Sequence, residues 1–134
     1  MWTVEHSIET DVPRDAIWRA WTEVARWGEW NGDIERVELT GPFAAESHIT
    51  MTPRGQDPVD LCIADVVDGE RFVDEAEIAG TVFRTMHRIE ALDEGRLRIV
   101  YRLEATGPAA AEIGPAITAD FEDTLKALVK HAAR

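Results

Sequence analysis

From Trp2 to Ile8 apolar and polar side chains alternate, with Trp2, Val4, His6 and Ile8 on one face and Thr3, Glu5 and Ser7 on the other. That is the period of a half-buried strand. Pro13 then stands at a first helical position with Asp15 in the first turn, and Ile17, Trp18, Trp21, Val24 and Ala25 recur at helical spacing. A short second helix is expected to carry Trp27 and Trp30 and to end at the turn Asn31-Gly32. The pattern next returns to period two in six runs, near 34–39, 47–52, 59–67, 70–78, 81–92 and 96–106. After Gly107-Pro108, residues Ile113, Ile117, Phe121, Leu125, Leu128 and Ala132 fall three or four apart and predict one long amphipathic helix. A kink is expected at Gly114-Pro115, because Pro115 has no donor for the bond back to Ala111.

Three turns set the strand registers. Asp68-Gly69 is a two-residue hairpin signal; pairing Val67 with Glu70 sets Ile63 opposite Asp74 and Leu61 opposite Ala76. Ala79-Gly80 sets Ala76 opposite Phe83, Asp74 opposite Thr85 and Phe72 opposite His87. Asp93-Glu94-Gly95, with Leu92 opposite Arg96, brings Ile89 against Ile99 and His87 against Tyr101. These registers are independent, yet all three put Leu61, Ile63, Phe72, Ala76, Phe83, Ile89, Ile99, Tyr101 and Leu103 on one face, and that agreement defines an inward surface. The other face collects Arg71, Glu75, Glu77, Arg84, Arg88, Arg96, Arg98, Arg102 and Glu104 and is expected to be solvated.

The 134 residues, 45% of them hydrophobic, fit one domain over the whole span 1–134, of α+β class. All five tryptophans lie within the first thirty residues, more aromatic surface than two short helices need to adhere to a sheet. They form either core or the roof of a cavity. A formal charge of -12 repels phosphate backbones and anionic lipid headgroups, so no nucleic-acid partner and no membrane insertion are expected. Lone Cys62 excludes an internal disulfide, and no apolar run approaches the roughly 20 residues of a membrane span. No signal-peptide pattern opens the chain, so a cytoplasmic location is expected for this acidic protein, as a monomer or homodimer.

The order strand, two short helices, six-strand meander and long C-terminal helix resembles the helix-grip fold of the START-like superfamily, in its bacterial polyketide cyclase/dehydrase-like branch. The resemblance covers nearly the whole chain. It rests on HSIETDVPRDAIWRAWTEVARWGEWNGDIERVELTGPF, FVDEAEIAG, MHRIEAL and YRLEATGP, with Pro13, Trp18, the Trp27/Trp30 pair, Gly41-Pro42 and Gly107-Pro108 in place. It implies a curved antiparallel seven-stranded sheet wrapped around the C-terminal helix, enclosing an apolar pocket for a lipid, sterol, polyketide or other hydrophobic molecule. Carriers, cyclases and chaperone-associated modules share this outline, and the fold alone does not choose among them. Two departures stand out. Glu46 replaces the glycine that normally precedes the third strand, and VDLCIADV lacks the inward arginine that aromatase-type cyclases use.

Within the inward face, Asp74, Thr85, His87 and Tyr101 are the polar members. Buried together they can orient a carbonyl or move a proton, with His87 as base or acid, Tyr101 as hydroxyl donor and Asp74 orienting the imidazole. The plainer reading is a set of polar residues that satisfy one another. The candidate ligand-binding set is Trp27, Trp30, Ile49, Met51, Leu61, Ile63, Phe72, Phe83, Thr85, Ile99, Ile113, Ile117 and Phe121. No metal site is expected, since no histidine pair lies three or four residues apart, and no glycine-rich phosphate loop, nucleophile elbow or cofactor motif is present. The sequence therefore predicts binding of a small hydrophobic ligand in a pocket of about 300 to 1,000 Å³. Cofactor-independent cyclisation or dehydration is the associated chemistry. The alternative is a non-catalytic protein-interaction module whose pocket is filled by its own side chains.

Overall fold

A computed structural model describes all 134 residues. Strand β1 (Trp2–Thr10) is followed by α1 (Arg14–Thr22) and a 3₁₀ helix (Val24–Glu29). Six strands follow: β2 (Ile34–Thr40), β3 (His48–Pro53), β4 (Val59–Val67), β5 (Arg71–Ile78), β6 (Thr81–Ala91) and β7 (Leu97–Thr106). Two helices, α2 (Ala110–Thr118) and α3 (Phe121–Ala132), end the chain. The strands form one antiparallel sheet in the order β1-β7-β6-β5-β4-β3-β2. β1 alternates as its sequence dictates, and His6, which faces Tyr101 across β7, turns inward with its ring edge-on to Phe121 at 6.4 Å.

Two of the three predicted registers hold throughout. Phe72 faces His87, Asp74 faces Thr85 and Ala76 faces Phe83 across β5 and β6, while His87 faces Tyr101 and Ile89 faces Ile99 across β6 and β7. The β4–β5 turn is one residue longer than expected. Gly69 adopts φ +74 and the Glu70 amide donates to the Val67 carbonyl (2.9 Å), so Val67 pairs with Arg71 instead of Glu70. A bulge between Ile63 and Asp65 absorbs the extra residue and restores Ile63 opposite Asp74. Without it every side chain of β4 beyond the bulge would change faces.

The C-terminal helix differs more. It is interrupted at Ala119-Asp120, not at Gly114-Pro115, and Pro115 lies inside α2. Gly114 serves another purpose: the Trp2 ring packs so closely on it that any Cβ there would collide with the indole. Thr118, one turn beyond, bonds its hydroxyl back to the Gly114 carbonyl at 3.2 Å, a local alternative that bends helices. Asp120 then takes the N-cap position of α3, its carbonyl accepting from the Thr124 amide at 2.8 Å, while its side chain makes no capping bond.

The convex face of the sheet carries a lattice of ion pairs, including Arg71–Asp65 (2.9 Å), Arg84–Glu75 (2.7 Å), Arg88–Glu90 (2.9 Å) and Arg102–Glu104 (3.1 Å). Val73 and Val100 point to that same face and are each 1% exposed, so the long stems of the lattice cover apolar surface as well as pairing charge. On the concave face Ile49, Ile63, Ile99 and Leu103 are fully buried, and Leu125 and Leu128 of α3 join them. These side chains form a packed layer. Beneath α2 and the start of α3, sheet and helices stand apart.

Candidate active site in the grip cavity

The gap is a cavity of about 720 Å³, entered near the Asn31–Ile34 turn, Arg54 and the α2–α3 break. Strands β3 to β7 supply Met51, Val59, Leu61, Phe72, Asp74, Ala76, Phe83, Thr85, His87 and Tyr101 as its floor. Ile113, Ile117 and Phe121 close it from the helices, and Trp21, Trp27 and Trp30 from the N-terminal region. All three sequence-predicted polar residues, His87, Tyr101 and Asp74, line it together, as do Thr85 and nine of the twelve apolar ones. The exceptions are Ile49, Ile63 and Ile99. They do point inward, but each is fully buried in the packed layer and none reaches the cavity. Face was readable from alternation; whether an inward side chain meets the chamber or the packed layer was not.

Each polar side chain is held differently. The imidazole of His87 stacks flat on Phe72 (centroids 3.9 Å, planes 4° apart) and meets Tyr101 edge-on at 4.7 Å. Its Nδ1 lies 3.3 Å from the Phe72 carbonyl, which can only accept, so Nδ1 carries the hydrogen and Nε2 keeps its lone pair. The tautomer is therefore set by backbone, not by Asp74. Burial pushes the imidazole down to about 3, outweighing the Phe72 bond that favours its charged form, so His87 is a neutral acceptor rather than an acid.

Tyr101 receives a hydrogen bond from the indole Nε1 of Trp21 (3.2 Å). With its oxygen engaged as acceptor, its own O–H is available to donate into the cavity. Burial raises its pKa, with Asp74 and Asp120 adding to the shift, so it stays a phenol. Trp21 is itself 1% exposed, backed edge-on by Trp18 at 6.0 Å, and its carbonyl accepts from Trp27 Nε1 at 3.0 Å. The tryptophans thus split by task. Trp21, Trp27 and Trp30 form wall, Trp18 props Trp21, and Trp2 packs on α2. The positioning role of Trp21 is invisible to spacing rules, which mark it only as the apolar face of α1.

Asp74 is 7% exposed and has no hydrogen-bond partner in the protein. Desolvation, reinforced by Glu75, lifts its carboxyl to about 7, so near neutrality it can give or take a proton. Two further carboxyls went unrecognised in the sequence. Asp33 and Asp120 lie side by side at the cavity mouth, and burial with the Asp33 contact raises Asp120 to about 6. Arg54 shares this rim, its Nε donating to the Gly32 carbonyl at 3.2 Å. No three histidine, cysteine, aspartate or glutamate side chains converge as metal ligands.

A sheet bent around a terminal helix, with an aromatic-walled chamber between them, defines a START-like helix-grip protein. The chain belongs to the family described as polyketide cyclase / dehydrase and lipid transport, whose model matches residues 1–133. Among solved structures it is similar to norcoclaurine synthase from Thalictrum flavum (TM-score 0.76, 14% identity, covering 96% of this chain and 84% of that one). It is likewise similar to a START superfamily protein from Mycobacterium smegmatis (TM-score 0.73, 13% identity, 98% and 97% covered). A third is the di-domain ARO/CYC protein BexL (TM-score 0.78, 17% identity), where 99% of this chain covers 47% of the other. No curated protein matches by sequence.

Proposed function

We propose that this protein binds one small, largely apolar molecule bearing a carbonyl or hydroxyl group inside the grip cavity. Asp74, Tyr101 and His87 act on its polar end. The observation that carries the reading is Asp74, a buried carboxyl without a protein partner in a chamber otherwise walled by hydrocarbon and aromatic rings. A buried polar group that merely completes a core is satisfied by its neighbours; this one is presented to whatever enters. Family membership supports a ligand-binding role. The self-filled interaction module fits less well, because Trp27, Trp30 and Met51 line the chamber without filling it.

The chemistry the arrangement supports is cofactor-independent enolisation leading to cyclisation or dehydration. Tyr101 donates its O–H to the ligand's carbonyl oxygen, and the Asp74 carboxylate takes a proton from the adjacent carbon. The resulting enolate carbon attacks a second carbonyl of the same molecule, whose oxygen recovers the proton from Asp74. Loss of water then completes dehydration. His87 Nε2 accepts a hydrogen bond from a ligand hydroxyl and orients it.

Quenching of tryptophan fluorescence by an acetonaphthone, a neutral aromatic ketone, tests the reading. Wild type is expected to saturate at one equivalent, and Ala76→Phe, which projects a ring into the chamber, to lose binding at least tenfold, the value of about 1.4 kcal/mol. Tyr101→Phe should weaken it less, by the roughly 1 kcal/mol of one hydrogen bond. Binding unaffected by Ala76→Phe would place the ligand elsewhere.

A further inference from the structure

The charge lining the cavity points to a more specific ligand. Its wall and rim hold three carboxyls, Asp33, Asp74 and Asp120, against a single guanidinium, Arg54. Arg54 is exposed at the rim, while His87 contributes no charge. Asp74 and Asp120 both act electrostatically on the Tyr101 hydroxyl, so the acids flank one part of the chamber instead of being scattered round it. The rings around them, Trp21, Phe72, Tyr101 and Phe121, present π faces and edges to the same space. A fatty-acid carboxylate placed there would meet like charge with no buried cation to offset it. A positively charged nitrogen would meet a carboxylate that lacks a partner and rings whose faces attract cations.

We propose that the ligand is a cationic amphiphile, a hydrophobic or aromatic body carrying a protonated amine, whose nitrogen pairs with Asp74 while Asp33 and Asp120 at the mouth draw it in. This rests on the cavity-binding reading above, adds the sign of the ligand's charge, and makes Asp74 the counter-ion of the bound amine instead of the base of the enolisation. The amine and Asp74 titrate in different ranges, and that gives a signature. An alkylammonium holds its proton to about pH 10, like lysine. Asp74 loses its own near pH 7, so affinity for an amine should climb as pH rises from about 6 to about 8. The groups facing Asp74 do not obscure this. Its cross-strand neighbours are Ile63 on β4 and Thr85 on β6, His87 stays neutral and Tyr101 stays a phenol over that range. Glu75 lies on the opposite face. Asp120 also titrates nearby, near pH 6, and acts in the same direction.

Three probes of one shape, naphthylmethylamine, naphthylmethanol and naphthoate, separate the possibilities by calorimetry on the full chain. The amine should bind best at about pH 8, roughly tenfold or more over the alcohol, with naphthoate weakest, as expected for a poorly solvated ion pair. Its advantage over the alcohol should shrink towards about pH 6 and vanish in Asp74→Asn. Asp33→Asn and Asp120→Asn should slow association and leave most of the advantage intact. Alcohol and amine binding equally, naphthoate binding best, or an advantage that disappears with Asp33 or Asp120 but not with Asp74 would overturn the inference and leave the cavity reading standing. If none of the three probes binds wild type, both fall. The pH series on wild type needs no variant to fold.

Discussion

Two buried residues two places apart in a ladder pull stability in opposite directions with pH. Asp74 holds its proton up to about 7 in the folded state and loses it near 4 when unfolded, so the folded state binds the extra proton and stability falls as pH rises between those values. His87 is depressed from 6.5 to about 3, so its contribution is full above 6.5 and is lost as pH falls towards 3. In wild type the two slopes partly cancel over roughly pH 4 to 6.5. Asp74→Asn removes one of them. That variant should be more stable than wild type at about pH 8, by of order a few kcal/mol, and should gain stability steadily with pH across the acid range. Urea unfolding at several pH values checks this. A variant whose stability is independent of pH below 6.5 would show that His87 is not buried neutral. Trp21→Phe replaces the indole with a smaller phenyl ring and deletes the donor to Tyr101, and should weaken ketone binding by at least about 1 kcal/mol, read by the same fluorescence titration.

At the scale of elements, the sheet was legible because each turn fixes a register and each register fixes a face. Asp74, His87 and Tyr101 could be brought together from three turns alone, and even the longer Asp68–Glu70 turn did no harm because the bulge at Ala64 compensates. The helix break was not legible. Periodicity runs unbroken from Ile113 to Leu128, and Pro115, the obvious suspect, is carried inside α2 while Thr118 and Asp120 mark the interruption. The mouth was missed for the same reason, since Asp33, Arg54 and Asp120 come from a turn, a strand end and a helix break that no period links. Two backbone positions test the local account. Glu46 sits at φ 77, in the left-handed region that favours glycine, and its amide donates to the Ile63 carbonyl at 2.8 Å. Glu46→Gly should therefore raise thermal stability, by up to about 1 kcal/mol, whereas most glycine substitutions lower it. Gly114→Ala should do the reverse, by about 1 to 3 kcal/mol, because the Trp2 ring has nowhere to go without unseating β1 from α2. Thermal melts of both variants, moving in opposite directions, would support the assignment; a neutral Gly114→Ala would contradict the close packing.

For the whole molecule, the decisive division is between packed core and open chamber. Ile49, Ile63, Ile99, Leu125 and Leu128 are fully buried in the core, while α2 and the start of α3 stand off the sheet over the chamber. The packed core and the ion-pair lattice on the convex face supply rigidity, so the chamber can keep an unpartnered carboxyl beside a phenol held by Trp21 and an imidazole held by the Phe72 carbonyl. A chain of charge -12 with that interior has little use for an anion. The central claim is that this chamber is where a ligand sits. Amide chemical-shift mapping of the labelled protein, titrated with an acetonaphthone, tests it most directly. Saturable shifts confined to Leu61, Phe83, Thr85, Tyr101, Ile117 and Phe121 and their immediate neighbours are predicted. Shifts on the convex face around Arg88 and Arg102, or none at saturating ketone, would contradict it.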